Sequence, residues 1–334
     1  MHWGQLPEEV VVLILRLLDH QTLLTVASVS RQLYRLSKDS LLWRRLSIDA
    51  RTILGHERCI RKLLNRCTHL NTISITDQLQ LGFSNQLLRV LAEAKDSLKH
   101  IFMAHSLSLW NPDDIQALSP VSKLEIICIT LENVETANSL ASNVNLTGLT
   151  GLVLRCKYSL GTPAHVLSLD RIFKCVTNLT YANVAPVDNQ NCIVLVKNNP
   201  NIKTLILPEN QITDETLRAI MLYCPKLQTL EIKHKPRTLE LVCSLSNLRK
   251  LYISGDNTCE DFILSRLVET NPDLEVLHLS NGESPNITTR GIADMLSKCD
   301  YLWKVELFHH APLIEDEDIE DLQEMWPDVD IIID

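Results

Sequence analysis

Cysteine and histidine are the residue types in this chain that would first suggest a catalytic or metal site. The 334 residues include ten cysteines, eleven histidines and nine glycines. The sequence contains no Cys-x-x-Cys, no His-Glu-x-x-His and no glycine-rich loop suited to a phosphate. We therefore predict no catalytic residue, no cofactor and no metal site.

The adjacent histidines His309 and His310, close to Glu306, are the nearest approach to a ligand pair. Neighbouring residues of a strand point to opposite faces, so a surface loop is the favoured interpretation. A cysteine nucleophile would need a base positioned by the fold, and no local signature identifies one. We expect the cysteines to be reduced thiols used as small buried hydrophobic residues.

Composition predicts a folded protein, with 45% hydrophobic and 22% charged residues. No apolar run approaches the roughly 20 residues of a membrane span, and Glu8 and Glu9 interrupt the position of a signal peptide core. We predict a cytoplasmic or nuclear protein with no membrane partner.

Negative charge is concentrated at the C-terminal end of the sequence. The net charge is −9, and the segment Leu313 to Asp334 carries ten acidic residues and no lysine or arginine. The rest of the chain is therefore close to neutral, without the basic face that nucleic acid binding requires. We expect the acidic segment to be a terminal repeat that caps the fold; an acidic tail that recruits a basic partner is the alternative.

The segment Ile212 to Ile232 shows the structural unit from which the chain is built. Leu217, Ile220 and Met221 have helical spacing, and after Pro225 the apolar residues change to the alternation of a short strand. A helix and strand of this size cannot bury an apolar face alone, so neighbouring copies are needed.

Copies of this unit recur along the sequence at intervals of 21 to 30 residues. Each has an apolar anchor residue at the start of its strand, namely Leu70, Leu98, Leu124, Leu149, Leu179, Ile202, Leu227, Leu248, Leu274, Leu302 and Val329. Apolar residues follow most anchors at three and five positions, and apolar pairs precede most of them at ten and seven. This period predicts leucine-rich repeats. The boundaries near 150–185 and 233–248 are the least regular.

The first 48 residues have a different pattern. Pro7 and two glutamates suit the start of a helix, and apolar residues at helical spacing then predict about three short helices. Their apolar content exceeds what roughly 45 residues can bury, so part of this surface should meet a partner. A helical cap on the solenoid is the alternative interpretation.

The order Leu6-Pro7-x-Glu9, Leu15, Leu18, Leu23-Leu24, Ala27, Val29-Ser30-Arg31, Leu33 and Leu41-x-Trp43 resembles an F-box. Proteins of that family dock onto the Skp adaptor of cullin-RING ubiquitin ligases, and many continue with leucine-rich repeats that carry Cys or Asn three residues before the anchor. Such residues stand here at Cys67, Asn199, Cys224, Asn271 and Cys299, and the resemblance implies that they pack or form hydrogen bonds inside the turn between helix and strand. The resemblance implies that the adaptor surface includes Leu6, Pro7, Leu15, Leu23, Leu24 and Val29, with Trp43 closing the motif.

The predicted fold class is α/β: a helical F-box over residues 1–48, then a curved solenoid over 49–334. This solenoid would have about eleven repeats, parallel strands on its concave face and helices on its convex face. The family resemblance implies a non-catalytic substrate receptor whose partners are the Skp adaptor, the cullin and RING subunits, and an unidentified protein target. A repeat scaffold outside any ligase is the alternative, and an enzyme is the third possibility.

The target should bind the concave sheet surface, where charged and aromatic side chains are typical of protein-binding faces. The residues assigned to this site are Tyr181, Glu231, Lys233, Lys250, Tyr252, His278, Lys304 and Phe308. A solvated sheet with incidental charges is the alternative.

Overall fold

A computed structural model of the chain describes residues 6–49, 69–76, 94, 96–102, 112–116, 118–131, 133–156, 169–234, 239–255, 259–280, 287–308 and 314–333. The chain forms two compact units. The first comprises Met1–Leu149 with Cys156–Ser159, and the second comprises Thr150–Arg155 with Leu160–Asp334.

Three short α-helices begin the first unit: α1 (Glu8–Leu15), α2 (His20–Ala27) and α3 (Arg31–Leu36), followed by a 3-10 helix at Ser40–Trp43. The side chains of Asp19 and Ser30 cap α2 and α3 by accepting hydrogen bonds from backbone amides of the first turn. Trp43 is fully buried, and its indole N–H donates to the Ser37 carbonyl oxygen at 2.7 Å. The three predicted helices are confirmed.

The first unit continues with four parallel strands that pair in chain order. They are β1 (Arg45–Asp49), β2 (Thr72–Thr76), β3 (His100–Phe102) and β4 (Ile126–Leu131). Two helices of this unit, α4 (Pro112–Gln116) and α5 (Val134–Asn143), pack against each other.

The second unit alternates strands and helices throughout. Its eight strands, β5 (Gly151–Cys156), β6 (Tyr181–Ala185), β7 (Thr204–Ile212), β8 (Thr229–His234), β9 (Lys250–Ser254), β10 (Val276–Ser280), β11 (Lys304–Phe308) and β12 (Asp330–Ile333), pair in parallel and in chain order. Between them lie α6 (Asp170–Cys175), α7 (Asn189–Asn198), α8 (Asp214–Tyr223), α9 (Leu239–Val242), α10 (Asp261–Thr270), α11 (Thr289–Ser297) and α12 (Asp316–Met325).

The core lies between the strands and the helices. In β9, Leu251 and Ile253 are buried while Lys250, Tyr252 and Ser254 face the other side of the sheet. From the helical side, pairs such as Leu217 and Ile220 of α8 are fully buried. Each predicted anchor with a described strand lies just before that strand. The α/β leucine-rich-repeat solenoid predicted from the sequence is therefore confirmed.

Buried side chains close the turns between helix and strand, as the sequence predicts. The Asn271 Oδ1 accepts a hydrogen bond from the Leu248 amide at 2.8 Å, and its Nδ2 donates to the Leu267 carbonyl at 3.0 Å. Asn199 makes the equivalent bonds to Leu179 and Leu195. Each asparagine thereby joins consecutive repeats and satisfies backbone groups that the turn leaves unpaired. Cys67 lies outside the described residues.

Strand β1 was not predicted from the sequence, because it begins within the first 48 residues, which have the pattern of helices. Trp43 stands two residues before β1, in the place that a leucine anchor takes in later repeats, and Leu46 is buried as the first core residue of the strand. The series of strands thus begins at the end of the helical module.

The irregular region near 233–248 contains α9, which has four residues and is the shortest helix among the described residues of the second unit. A second irregularity lies earlier in the chain, where strand β7 has a register shift against β8 between Leu207 and Gln211. Residues 157–168 and 235–238 lie outside the described segments, so the exact repeat boundaries there stay predictions.

Candidate functional site

The N-terminal helices divide the predicted adaptor-binding residues into two groups. Leu15, Leu23 and Trp43 are buried inside this module, so they support its surface from within. Pro7, Leu24 and Val29 are exposed and Leu6 is half-buried, so these side chains can be reached from outside. Adaptor contact by this second group stays a prediction.

The module exposes far more apolar surface than these predicted positions alone. Within residues 6–49, seven large hydrophobic or aromatic residues are exposed, with Leu17 at 85% and Val29 at 71%. They are Val10, Leu13, Leu17, Leu24, Val29, Tyr34 and Leu41. The predicted apolar excess of the first 48 residues is thus present in the structure. Such a concentration on a short segment is typical of a protein-binding surface.

Polar contacts hold the helices that present this surface. The Arg35 guanidinium pairs with the Glu8 carboxylate and links α3 to α1. The His20 ring packs on the Trp43 indole with centroids 5.6 Å apart. Burial lowers the pKa of His20, although the Arg45 backbone and the Asp19 carboxylate oppose this effect.

The strand register of the second unit places the predicted target-binding residues in three rows on the sheet face opposite the helices. Residues of each row lie side by side on neighbouring strands. The first row contains Tyr181, Thr204, Thr229, Lys250, Val276 and Lys304; the second contains Glu231, Tyr252, His278 and Glu306; the third contains Lys233, Ser254, Ser280 and Phe308.

Aromatic rings form a continuous cluster across strands β9 to β11. The His278 ring lies between Tyr252 and Phe308, with centroid distances of 6.0 Å and 5.5 Å. The Nδ1 of His278 is 2.8 Å from the Glu306 Oε2. The structure therefore brings these three predicted residues together and fixes the imidazole between two rings and a carboxylate.

Charged groups surround this aromatic cluster. The Lys304 Nζ lies 3.0 Å from the Glu306 Oε1 and 3.7 Å from the Asp330 Oδ2. Burial opposes ionisation of Glu306, but hydrogen bonds from His278 and Lys304 outweigh it and lower the Glu306 pKa. The hydrogen bond to Glu306 in turn raises the pKa of Lys304. Both groups are thus held in their charged forms at neutral pH.

Burial raises the pKa of the Tyr252 phenol, and the Glu231 and Glu306 carboxylates add to this effect. Tyr252 therefore presents a neutral hydroxyl. Of the predicted cations, Lys233 and Lys250 make no ion pair with any described residue, while Lys304 is engaged on both sides. Tyr181 lies on β6, separated from the aromatic cluster by β7 and β8.

Two carboxylates belong to this surface although the predicted site omits them. Glu306 accepts from both His278 and Lys304, and Asp330 approaches Lys304 from the next strand. The repeat spacing could have indicated both, because it aligns Glu306 with His278 and Asp330 with Lys304 on neighbouring strands.

The described residues offer little reactive chemistry. Their eight cysteines are free thiols, and burial raises the pKa of Cys224 to about 12 and of Cys243 to about 11. Within the described segments no cluster of three His, Cys, Asp or Glu residues could hold a metal ion. No described helix is both long enough and apolar enough to cross a membrane. The His309–His310 pair lies outside the described residues.

The chain is similar to known proteins in its N-terminal residues and, more distantly, over a longer region. Residues 3–49 match the family model described as F-box-like. A relative from Arabidopsis thaliana is named putative F-box/LRR-repeat protein 23. It is 23% identical to this chain over 239 residues. The matched region covers 70% of this chain and 48% of the relative. The matched region thus spans about half the length of that relative.

A solved structure, the Rad7 and Elc1 complex in yeast, aligns with 85% of this chain and 86% of the compared chain, with a TM-score of 0.46 and 14% identity. The N-terminal residues 3–49 are an F-box-like domain, and the chain is distantly similar to an F-box/LRR-repeat protein.

Proposed function

We propose that this protein is the substrate-recognition subunit of a Skp–cullin–F-box ubiquitin ligase. The observation that carries the proposal is the F-box-like match over residues 3–49, on helices that expose an unusual amount of apolar surface. In this role the N-terminal helices bind the Skp adaptor, and the adaptor connects the chain to the cullin and RING subunits.

The second part of the proposal is that the sheet face of the second unit binds the protein target. Its support is the cluster of Tyr252, His278 and Phe308 with charged groups at its edge. Aromatic side chains provide large contact areas in interfaces, and charges at the rim select the partner. The chain then acts by proximity, as a non-catalytic subunit in the cytoplasm or nucleus, and the other ligase subunits carry out transfer to a target lysine.

The adaptor interface is tested with purified full-length chain and purified Skp adaptor, by co-elution in size-exclusion chromatography. We expect Leu6→Ala combined with Pro7→Ala to abolish the complex. Pro7 contributes its carbonyl oxygen to the first turn of α1, which alanine preserves, so the helix should still form.

A charged substitution provides a second test of the same surface. Val29→Asp should also prevent co-elution, because a carboxylate would be desolvated in an apolar interface. Leu222→Asp is the matched control, since Leu222 on α8 is 70% exposed and lies in the second unit. Adaptor binding by the Val29 variant at the strength of the control would refute the assigned surface, and a folded wild-type chain that binds no adaptor would favour a repeat scaffold outside the ligase.

A further inference from the structure

A cavity of about 470 Å³ lies at the junction of α12 and β12 in the second unit. Its walls include Trp303, Gln323, Asp328, Val329, Asp330 and Ile331. This cavity shares Asp330 with the charged edge of the sheet face, but its walls include none of the three rings of the aromatic cluster. Its volume lies within the roughly 300–1,000 Å³ that is typical of ligand-binding pockets, so it has room for a side chain from a partner.

Trp303 gives the cavity an aromatic wall that the core does not use. This residue directly precedes β11, and its side chain remains 49% exposed. Its backbone is fixed on both sides, because its N–H donates to the Glu275 carbonyl at 3.0 Å and its carbonyl accepts from the Asp330 amide at 2.8 Å. The backbone that carries the indole is therefore held in place, while much of the residue is open to a ligand.

The other walls are negative and apolar. Asp328 makes no ion pair with any residue that the structure describes, and the Asp330 side chain is 56% exposed. The nearby cation, Lys304, is 3.7 Å from Asp330 but 3.0 Å from Glu306. The Gln323 amide nitrogen already donates to the Ile331 carbonyl at 3.0 Å. The carboxylates of Asp328 and Asp330 thus remain to interact with a ligand.

We propose that this cavity binds the guanidinium group of an arginine side chain from a protein partner. A planar guanidinium can stack on the Trp303 indole and donate paired hydrogen bonds to a carboxylate. Its aliphatic stem would pack on Val329. An anion would be repelled by the two aspartates, and a purely apolar side chain would remove water from their carboxylates without replacing its hydrogen bonds. The proposal goes beyond the ligase function and does not depend on it.

The test titrates isotope-labelled full-length protein with N-acetyl-arginine amide and follows the Trp303 indole N–H resonance, assigned by comparison with Trp303→Phe. We expect a saturable shift that weakens as salt concentration rises. N-acetyl-norleucine amide has no charge and N-acetyl-glutamate amide has the wrong charge, so neither should give a saturable shift. N-acetyl-lysine amide should bind more weakly than the arginine compound, because an ammonium group lacks the planar geometry.

Two variants distinguish the effect of the cavity carboxylates on arginine binding from the general effect of negative charge in this segment. Asp328→Asn should weaken arginine amide binding at least tenfold while leaving the Lys304–Asp330 contact intact. Glu324→Gln is the matched control, since it removes an exposed negative charge from α12 outside the cavity walls, and it should bind as the wild type does. No saturable arginine shift, equal binding of norleucine or lysine amide, or equal loss in both variants would overturn the proposal. Binding of the Skp adaptor is measured separately by co-elution, and its outcome does not depend on whether the arginine compound binds.

Discussion

At the scale of single residues, His20 is the group whose protonation should affect the F-box-like domain. It is half-buried against Trp43, the fully buried centre of the domain, and desolvation lowers its pKa from the ordinary 6.5. The folded state therefore favours neutral imidazole, while the unfolded chain takes up its proton near the ordinary pKa. Stability from this residue is present above pH 6.5 and is lost as pH falls toward the folded-state pKa.

We predict that the thermal midpoint of the N-terminal domain falls between pH 7.5 and pH 5.5 by more in the wild type than in His20→Gln. The glutamine variant removes the titrating group, so carboxylates elsewhere contribute equally to both proteins. An identical pH dependence of the two thermal midpoints would contradict the assigned role of His20.

The roles of some single residues could be predicted from the sequence, and those of others could not. The positions of Asn199 and Asn271 before their anchors predicted residues inside the turn, because they match the repeat type that the chain resembles. Their actual partners are backbone groups of two consecutive repeats, as with Leu248 and Leu267 around Asn271. The burial of Leu15, Leu23 and Trp43 could not be read from the motif, since helical spacing does not say which apolar side faces inward.

At the scale of elements, the junction between α10 and α11 depends on a glycine. The Asp261 carboxylate in α10 accepts from the Thr288 amide at 2.8 Å and from its hydroxyl at 2.7 Å, at the start of α11. A Cβ added to Gly291 would lie 2.0 Å from the Asp261 Oδ1. Alanine at this position must therefore displace the carboxylate from Thr288.

Gly291→Ala should consequently destabilise the protein by about 1 kcal/mol, because the lost hydrogen bonds exceed the gain in helix propensity. In an Asp261→Ala background the same change should become neutral or stabilising by up to about 1 kcal/mol, since the obstructing carboxylate is gone. The four proteins of this double-mutant cycle are compared by urea denaturation. Additive effects would show that the Gly291–Asp261 contact does not govern the junction.

Element positions followed from sequence wherever a leucine, isoleucine or valine anchor recurs, and failed at β1, where an aromatic residue takes that place. Strand β1 was missed because Trp43 stands at its anchor position at the end of a helical segment. The four-residue helix α9 agrees with the shortest anchor interval, between Leu227 and Leu248, which leaves little chain for a helix.

At the scale of the whole molecule, the proposed function divides binding between two parts of one chain: the F-box-like domain would bind the adaptor, and the sheet face of the second unit would bind the target. Sequence reasoning found the lysines and aromatic residues of that face but not the Lys304 contacts with Glu306 and Asp330, which depend on strand register. Replacement of Lys304 by glutamate would place a third carboxylate beside those of Glu306 and Asp330. Lys233 and Lys250 are therefore the better pair for charge reversal.

The most direct test of the central claim is quantitative mass spectrometry of proteins captured from cells by the full-length chain while cullin activity is blocked. We expect stoichiometric Skp adaptor with the wild type, and loss of adaptor but retention of target proteins with Leu6→Ala/Pro7→Ala. Lys233→Glu/Lys250→Glu should show the reverse, with adaptor retained and targets reduced. Adaptor capture by the Leu6/Pro7 variant at the wild-type level would contradict the account.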